Sequence, residues 1–387
     1  MDLQSILEPE ALFATLAQLV AINSVNPQYP GGPGEGALAE YVADYFRLNS
    51  IPFELQPVMA GRRNVIAKLE GNPGNRVLVL EAHMDTASEL GMCRDPFLPV
   101  REGNRLYGRG SCDTKAGLAA MMHAMKILRG AGVRPKGSVF LVAAVDEEHS
   151  FQGVLKFLEK GIHADGAIVS EPTGLETVVA SKGALRWRLR TVGRAAHSSK
   201  PRLGVNAVNK MAKVLTAMDE RFPPMFEKRT HPLLGSPTLN VGVIHGGVQV
   251  NQVPDSCTIE IDRRLLPGET KESVWKEFEE LLAELCEHDS ELRVDMEPPQ
   301  LEDHPLETSP SERIVQLVSK IAQERMGQNR IVGVPYGSDA SKLARSGIPS
   351  VIFGPGDIDQ AHAAEEYVEL DQVALAAEIY AKTILDF

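Results

Sequence analysis

Hydrophobic positions along the chain follow two regimes, which change over at Gly183. Before it, helical spacing alternates with short continuous apolar runs. Leu12, Leu16, Leu19 and Val20 mark a helix over Pro9–Ile22, and Glu35–Asn49 reads as a second amphipathic helix. Strands are expected at Asn64–Leu69 and Arg76–Ala82, separated by the turn Gly71-Asn72-Pro73-Gly74. Gly-rich Tyr107–Ser111 leads through Asp113 into a long helix, Ala116–Arg129. Val139–Val145 is apolar without alternation, as in a strand covered on both faces in the middle of a parallel sheet. A helix at Gln152–Lys160 and a short strand at Gly166–Val169 follow.

Beyond Gly183 the order becomes strand Ala184–Val192, helix Val205–Arg221, strands Thr238–Ile244 and Cys257–Arg263, helix Lys271–His288 and strand Glu291–Met296. That is β-α-β-β-α-β, the split pattern of a ferredoxin-like sandwich. The proline-rich stretch Glu297–Pro310 reads as a crossing back. Helices Glu312–Met326, Ala340–Ser346 and Val373–Ile384, with strand Ser350–Phe353, then restore the first regime. The expected fold class is therefore α/β. A mostly parallel-sheet domain occupies residues 1–182 and 298–387, and a ferredoxin-like α+β domain is inserted over 183–297.

Charge narrows the partners. A net charge of −12 over 387 residues argues against nucleic acid or an anionic membrane. The first basic residue is Arg47, so no positive region precedes an apolar segment, and a secretory or transit peptide is not expected. No apolar run approaches the roughly 18 residues of a membrane span. Cys93, Cys112, Cys257 and Cys286 are far apart, as reduced cytosolic thiols would be; the expected location is the cytoplasm.

Candidate chemistry sits where the apolar runs end. Val139–Val145 is followed by Asp146, Glu147 and Glu148, in the crevice where open α/β sheets bind ligands. Carboxylates so crowded need a cation or raised pKa values. Other strands end in His83 and Asp85, in Glu171, and in the segment leading to His362; Asp113 opens a helix. Imidazoles and carboxylates without thiolates suit zinc, cobalt or manganese. One carboxylate shared by two cations would hold them roughly 3.5–4 Å apart, as in two-metal hydrolases. Each residue has a plainer reading. His83 could be a core histidine, Asp113 a helix N-cap, Glu147 and Glu148 solvated loop acids, Glu171 the start of a turn, and His362 a surface-loop residue. Coincidence at one edge of one sheet weighs against all of these together. Asp85, two residues beyond His83, is placed to orient its imidazole.

The motifs His83-Met84-Asp85-Thr86, Tyr107–Lys115, Asp146-Glu147-Glu148, Ser170-Glu171-Pro172-Thr173, Ala196-His197-Ser198-Ser199 and Gly354-Pro355-Gly356 with Gln360-Ala361-His362 carry a resemblance. The chain resembles the M20 family of metallopeptidases and amidohydrolases, in the branch that includes acetylornithine deacetylase. The resemblance implies two divalent metal ions per subunit, zinc first, with cobalt or manganese as alternatives. Asp113 would bridge them, with His83 and Glu171 completing one site and Glu148 and His362 the other. It makes Glu147 the general base, Asp85 the orienter of His83, and His197 the donor to the oxyanion, from the partner subunit in dimeric relatives. The inserted domain would be a lid and the homodimer contact.

Arg264 is the best candidate for the substrate carboxylate, because a fork-shaped cation matches its geometry. Asn251, Gly337, Ser338 and Lys182 resemble further substrate contacts, while Arg263, on the opposite face of its strand, reads as structural. The implied activity is removal of a small acyl group from an N-acyl amino acid, N-acetylornithine first. The alternatives are N-succinyl-diaminopimelate, an N-formyl aminopyrimidine or a dipeptide. Outside this class stands a non-catalytic metal- or amino-acid-binding module.

Overall fold

A computed structural model describes residues 7–72, 74 and 76–387; Pro73 of the expected Gly71–Gly74 turn lies outside the described residues. The chain divides into two compact units. The first takes residues up to Val179, Glu307–Val332 and Ser338–Phe387; the second takes Ala180–Leu306 with Gly333–Gly337.

The first unit is built on a mixed sheet. Its parallel centre aligns strands Ser138–Ala144, Val77–His83, Gly166–Val169 and Ser350–Ile352. The non-alternating run thus lies inside the sheet, as expected, with a parallel neighbour on one side only. Its other neighbour, Arg62–Leu69, runs antiparallel and hairpins into the edge strand Phe53–Met59. That edge strand has no clear sequence signature, because Pro57 argues against a strand interior. Pro57 is tolerated at the edge, where the pairing register shifts between Pro57 and Met59.

Helices Pro9–Ala21, Lys115–Gly130, Arg313–Met326 and Leu370–Asp386 pack on one another and share one apolar core with the sheet. Most of helix Lys115–Gly130 is buried, consistent with a helix enclosed by its neighbours.

Register decides which strand ends meet. His83 lies opposite Ala144, and Glu81 opposite Val169. Three parallel strands therefore finish side by side, delivering the His83–Asp85, Asp146–Glu148 and Ser170–Glu171 segments to one edge.

In the second unit Gly183–Val192 pairs antiparallel with Ser256–Leu265, which pairs with the edge strand Thr238–Gly246. Val294–Met296 lies on the other side of Gly183–Val192, and helices Ala207–Phe226 and Lys271–His288 supply the rest of a separate core. The order matches a ferredoxin-like sandwich. One expectation changes: the proline-rich stretch is more than a crossing, because Leu301–Asp303 pairs with Ala184–Arg186. Pro298 and Pro299 interrupt the edge between two short strands that both pair with Gly183–Val192.

Trp187 meets Phe278 edge-on at 4.8 Å, and Phe222 stacks on Phe278 at 4.5 Å. Phe278→Ala should therefore cost about 3–5 kcal/mol, read as a lower urea midpoint for the transition reported by the fluorescence of Trp187 and its neighbour Trp275.

Candidate metal centre and active site

His83 ends its strand fully buried. Its Nδ1 donates to the Asp85 carbonyl at 2.9 Å, which fixes the tautomer and turns Nε2 towards carboxylates. Nε2 lies 3.1 Å from Asp113 Oδ1, 3.9 Å from Glu171 Oε1 and 4.0 Å from Glu147 Oε2. The other Asp113 oxygen, Oδ2, is 3.5 Å from His362 Nε2, and Glu148 Oε1 is 3.1 Å from the same nitrogen. Asp113 thus presents one oxygen to each imidazole. Two ligand clusters result, His83 with Glu147 and Glu171, and Asp113 with Glu148 and His362.

The plainer readings of Asp113, Glu148 and Glu171 do not describe this geometry, whereas His362 does lie exposed in a loop. The N-cap of helix Lys115–Gly130 is Thr114, without a side-chain cap, and the Asp113 carboxylate is committed to the two histidines. Glu148 and Glu171 are nearly inaccessible, with side chains 7% and 6% exposed. The expected bond from the Asp85 carboxylate to His83 is absent, since Asp85 Oδ1 is 3.7 Å away. The carboxylate instead accepts the backbone N–H groups of Glu147 at 3.1 Å and Glu148 at 3.0 Å. Asp85 therefore orients the imidazole through its carbonyl and holds the two glutamates through its side chain.

The electrostatics ask for positive charge. Burial pushes Glu147 and Glu171 well above the usual carboxylate range, and raises Glu148. His83 is raised despite its burial, by its bond to Asp113 and the charges of Glu171 and Glu147. His362 rises to about 9, chiefly through its bond to Glu148. Burial opposes ionisation of Asp113, yet the bond to His83 leaves its pKa lowered. Buried acids in this state hold protons that divalent cations would displace. Glu171 Oε1 is also buried without a hydrogen-bond partner, which suits a ligand atom. The donor set, two imidazoles and four carboxylates without a thiolate, fits two such ions.

Two supports were not among the residues given a role from the sequence. The Asn26 amide donates both to Asp85 Oδ2, at 2.8 Å, and to Asp146 Oδ1, at 3.0 Å. Asp146 takes a left-handed conformation, φ 71°, and also pairs with Arg62, which is bound to buried Glu35. Asn26→Ala would leave two buried carboxylates facing each other. It should lower metal affinity or kcat about 10–100-fold, measured by titrating the chelated protein with Co(II) and by steady-state rates. The second support is Glu366, whose carboxylate accepts from Arg109, Gly110, Cys112 and Asp113.

Ser338 is buried, its hydroxyl accepting from Ala340 N and its carbonyl from Lys342 Nζ. The remaining candidates belong to the second unit. His197 is exposed, and its Nδ1 accepts from the Ser199 backbone N–H at 3.1 Å. Arg264 Nε donates to Asp262 at 2.8 Å. Arg263 turns inward, completely buried, onto Glu269 and the Phe226 ring. Lys182 is buried and donates to the Ser236 carbonyl. Burial and the charges of Arg263 and Arg264 lower its pKa. Asn251 is exposed in a turn, its carbonyl bound to Ser198 N. Gly337 has no room for a side chain, since a Cβ there would lie 1.9 Å from Asp303 Oδ2.

An α/β sheet whose strand ends and adjoining loops gather a two-cluster set of imidazole and carboxylate ligands, enclosed except at exposed His362, defines a metallohydrolase-type centre. Residues 79–386 match Peptidase family M20/M25/M40, and the chain belongs to that family as a metal-dependent amide hydrolase. It is 32% identical to an acetylornithine deacetylase of Klebsiella pneumoniae (strain 342), over 91% of each chain. It is 28% identical to N-formyl-4-amino-5-aminomethyl-2-methylpyrimidine deformylase of Bacillus subtilis (strain 168), over 95% of this chain and 91% of that one. Among solved structures, aminopeptidase PepT of Bacillus cereus superposes with a TM-score of 0.80 at 22% identity, over 97% and 98% of the two chains. The Bacillus subtilis YXEP protein, described as a dinuclear metal-binding M20 peptidase, gives 0.73 at 15%, over 97% of both. Among the described residues, no helix is long and apolar enough to cross a membrane.

Proposed function

We propose that this enzyme removes a small acyl group from an N-acyl amino acid in the cytoplasm, with N-acetylornithine as first substrate. One observation carries the hydrolase part of the reading: Asp113 turns one oxygen to each of two imidazoles, 3.1 and 3.5 Å away, so that it would be shared between two cations. His83 and Glu171 would hold one ion and Glu148 and His362 the other, zinc first, with cobalt or manganese able to replace it. When bound, the ions polarise the amide carbonyl and lower the pKa of water from 15.7 towards about 7.

Glu147 takes the proton from the attacking water and delivers it to the leaving nitrogen. His197 donates to the oxyanion. Its Nδ1 already accepts a backbone N–H, so the neutral ring carries its proton on Nε2, the form that role requires. Arg264 receives the substrate carboxylate, with Lys182, Asn251, Gly337 and Ser338 as further substrate contacts. Asp262 holds Nε of Arg264 and so pre-orients the fork.

The second unit is the lid and homodimer contact. Its edge strand Thr238–Gly246 and the turn beyond leave Ile244, Val248 and Val250 exposed by 53%, 90% and 99%, a surface a second copy would cover.

A hydrolysis screen of N-acetyl, N-succinyl and N-formyl amino acids, with zinc, cobalt or manganese added, tests the reading. The highest kcat/KM is expected for N-acetylornithine; a preference for N-succinyl or N-formyl substrates would replace the acyl group, and no turnover of any amide would sink the proposal. For the dimer, mixing His197→Ala with Glu147→Gln subunits should restore part of the lost activity. A mixture as inactive as its components would place His197 in its own subunit's site.

A further inference from the structure

Glu366 is 1% exposed, and each of its oxygens accepts two hydrogen bonds. Oε1 takes the backbone N–H groups of Cys112, at 2.9 Å, and of Asp113, at 3.0 Å. Oε2 takes Gly110 N at 2.9 Å and the Arg109 guanidinium at 2.8 Å. Its own carbonyl accepts from Gly108 N at 3.1 Å. The loop before Asp113 is thus wrapped around one carboxylate. Gly108 and Gly110 make the wrapping possible, with φ of 146° and 79°, values that side-chain-bearing residues rarely adopt.

The same glutamate sits four residues after His362 and one before strand Tyr367–Glu369, which pairs in register with Arg105–Tyr107. Its side chain therefore holds the segment that ends in Asp113, while its backbone anchors the one that begins at His362.

We propose that Glu366 is a positioning residue that sets the separation of Asp113 and His362 and so the geometry of the shared cation site. The inference rests on the metal-pair reading above and goes beyond it, because Glu366 belongs to neither ligand cluster. A buried carboxylate with four donors in fixed directions is rigid, and donors that converge on one anion cannot move independently. The Asp113 backbone is thereby fixed through its N–H, while its carboxylate faces the two histidines. An amide in place of the carboxylate would turn an NH2 group towards N–H donors and break the clamp.

The experiment is a Co(II) titration of chelated protein, followed by calorimetry and by the visible spectrum of the bound ion. Wild type should take up two ions per chain; if it takes up none, the metal-pair reading fails, and with it this inference. Given wild-type binding, Glu366→Gln should weaken at least one site about 10–100-fold and alter the cobalt spectrum. A folded Glu366→Gln with wild-type affinity and an unchanged spectrum would overturn the proposal, since a residue that only stabilises the fold would lower Tm and leave both readouts alone. If Glu366→Gln does not fold, Arg109→Gln decides the matter. It removes one of the four bonds and should shift affinity and spectrum in the same direction by a smaller factor; no shift would overturn the proposal.

Discussion

Glu147→Gln will lower kcat about 10²–10⁴-fold while the protein still takes up two divalent ions per chain. The second half of that result is the informative one. The Glu147 carboxylate lies 4.0 Å from His83 Nε2, hardly farther than the 3.9 Å of Glu171, so distance alone would allow it to be a ligand. Its side chain is the more open of the two, 13% exposed against 6%, as a group that must reach a water at the mouth of the site would be. Burial raises its pKa, and a base whose pKa lies nearer the working pH transfers protons more effectively. Gln keeps the shape and loses only the basicity. Metal content measured on the purified variant separates the roles: near two ions with turnover lost makes Glu147 the base, and near one ion makes it a ligand. Retained turnover would refute both.

What the sequence disclosed about the site depended on strand ends. His83, Glu147, Glu148 and Glu171 could be grouped because each follows an apolar run, and parallel strands bring their ends to one edge whatever the loops do. Asp113, at a helix start, and His362, in a loop some residues beyond its strand, were collected with them by position, and the motif resemblance supplied their roles as shared and second-site ligands. Asn26 and Glu366 were given no role, because their partners lie 59 to 257 residues away and no period links them. Asp85 shows a subtler failure. Spacing of two along a strand put its side chain beside His83, but the chain leaves the strand at His83, and the carboxylate turns to the Glu147–Glu148 backbone.

The fold divides along similar lines. Long periodic helices such as Lys271–His288 were legible to the residue, because amphipathic spacing repeats over many turns. Phe53–Met59 and Leu301–Asp303 were not, being short edge strands that contain or follow prolines and owe their shape to a neighbour's free hydrogen bonds.

Stripped of metal by a chelator, the protein will lose stability as pH rises from about 4.5 towards 9, and saturating metal will reverse the slope. Glu147, Glu148 and Glu171 have folded-state pKa values raised above the ordinary 4.5. Each contributes stability that is complete below that value and is lost as pH climbs through the raised one. His362 acts in the same direction, from its ordinary 6.5 to about 9, and raised His83 adds to it. Asp113 is shifted the other way, but its contribution falls below 3.8, outside this window; Lys115, lowered by burial to about 7, opposes the loss above that pH. Metal binding releases those protons, so higher pH favours the loaded form. Each site adds about 2.7 kcal/mol when the free ion is at 100 times its dissociation constant. Glu171→Gln isolates the effect, because it removes one repelling charge and one ligand together. At pH 8 the chelated variant should melt above chelated wild type, whereas with zinc present the order should invert. Thermal melts of both proteins across this range, with and without metal, give the answer. A variant less stable than wild type in both conditions would mean that Glu171 serves the fold and not a cation.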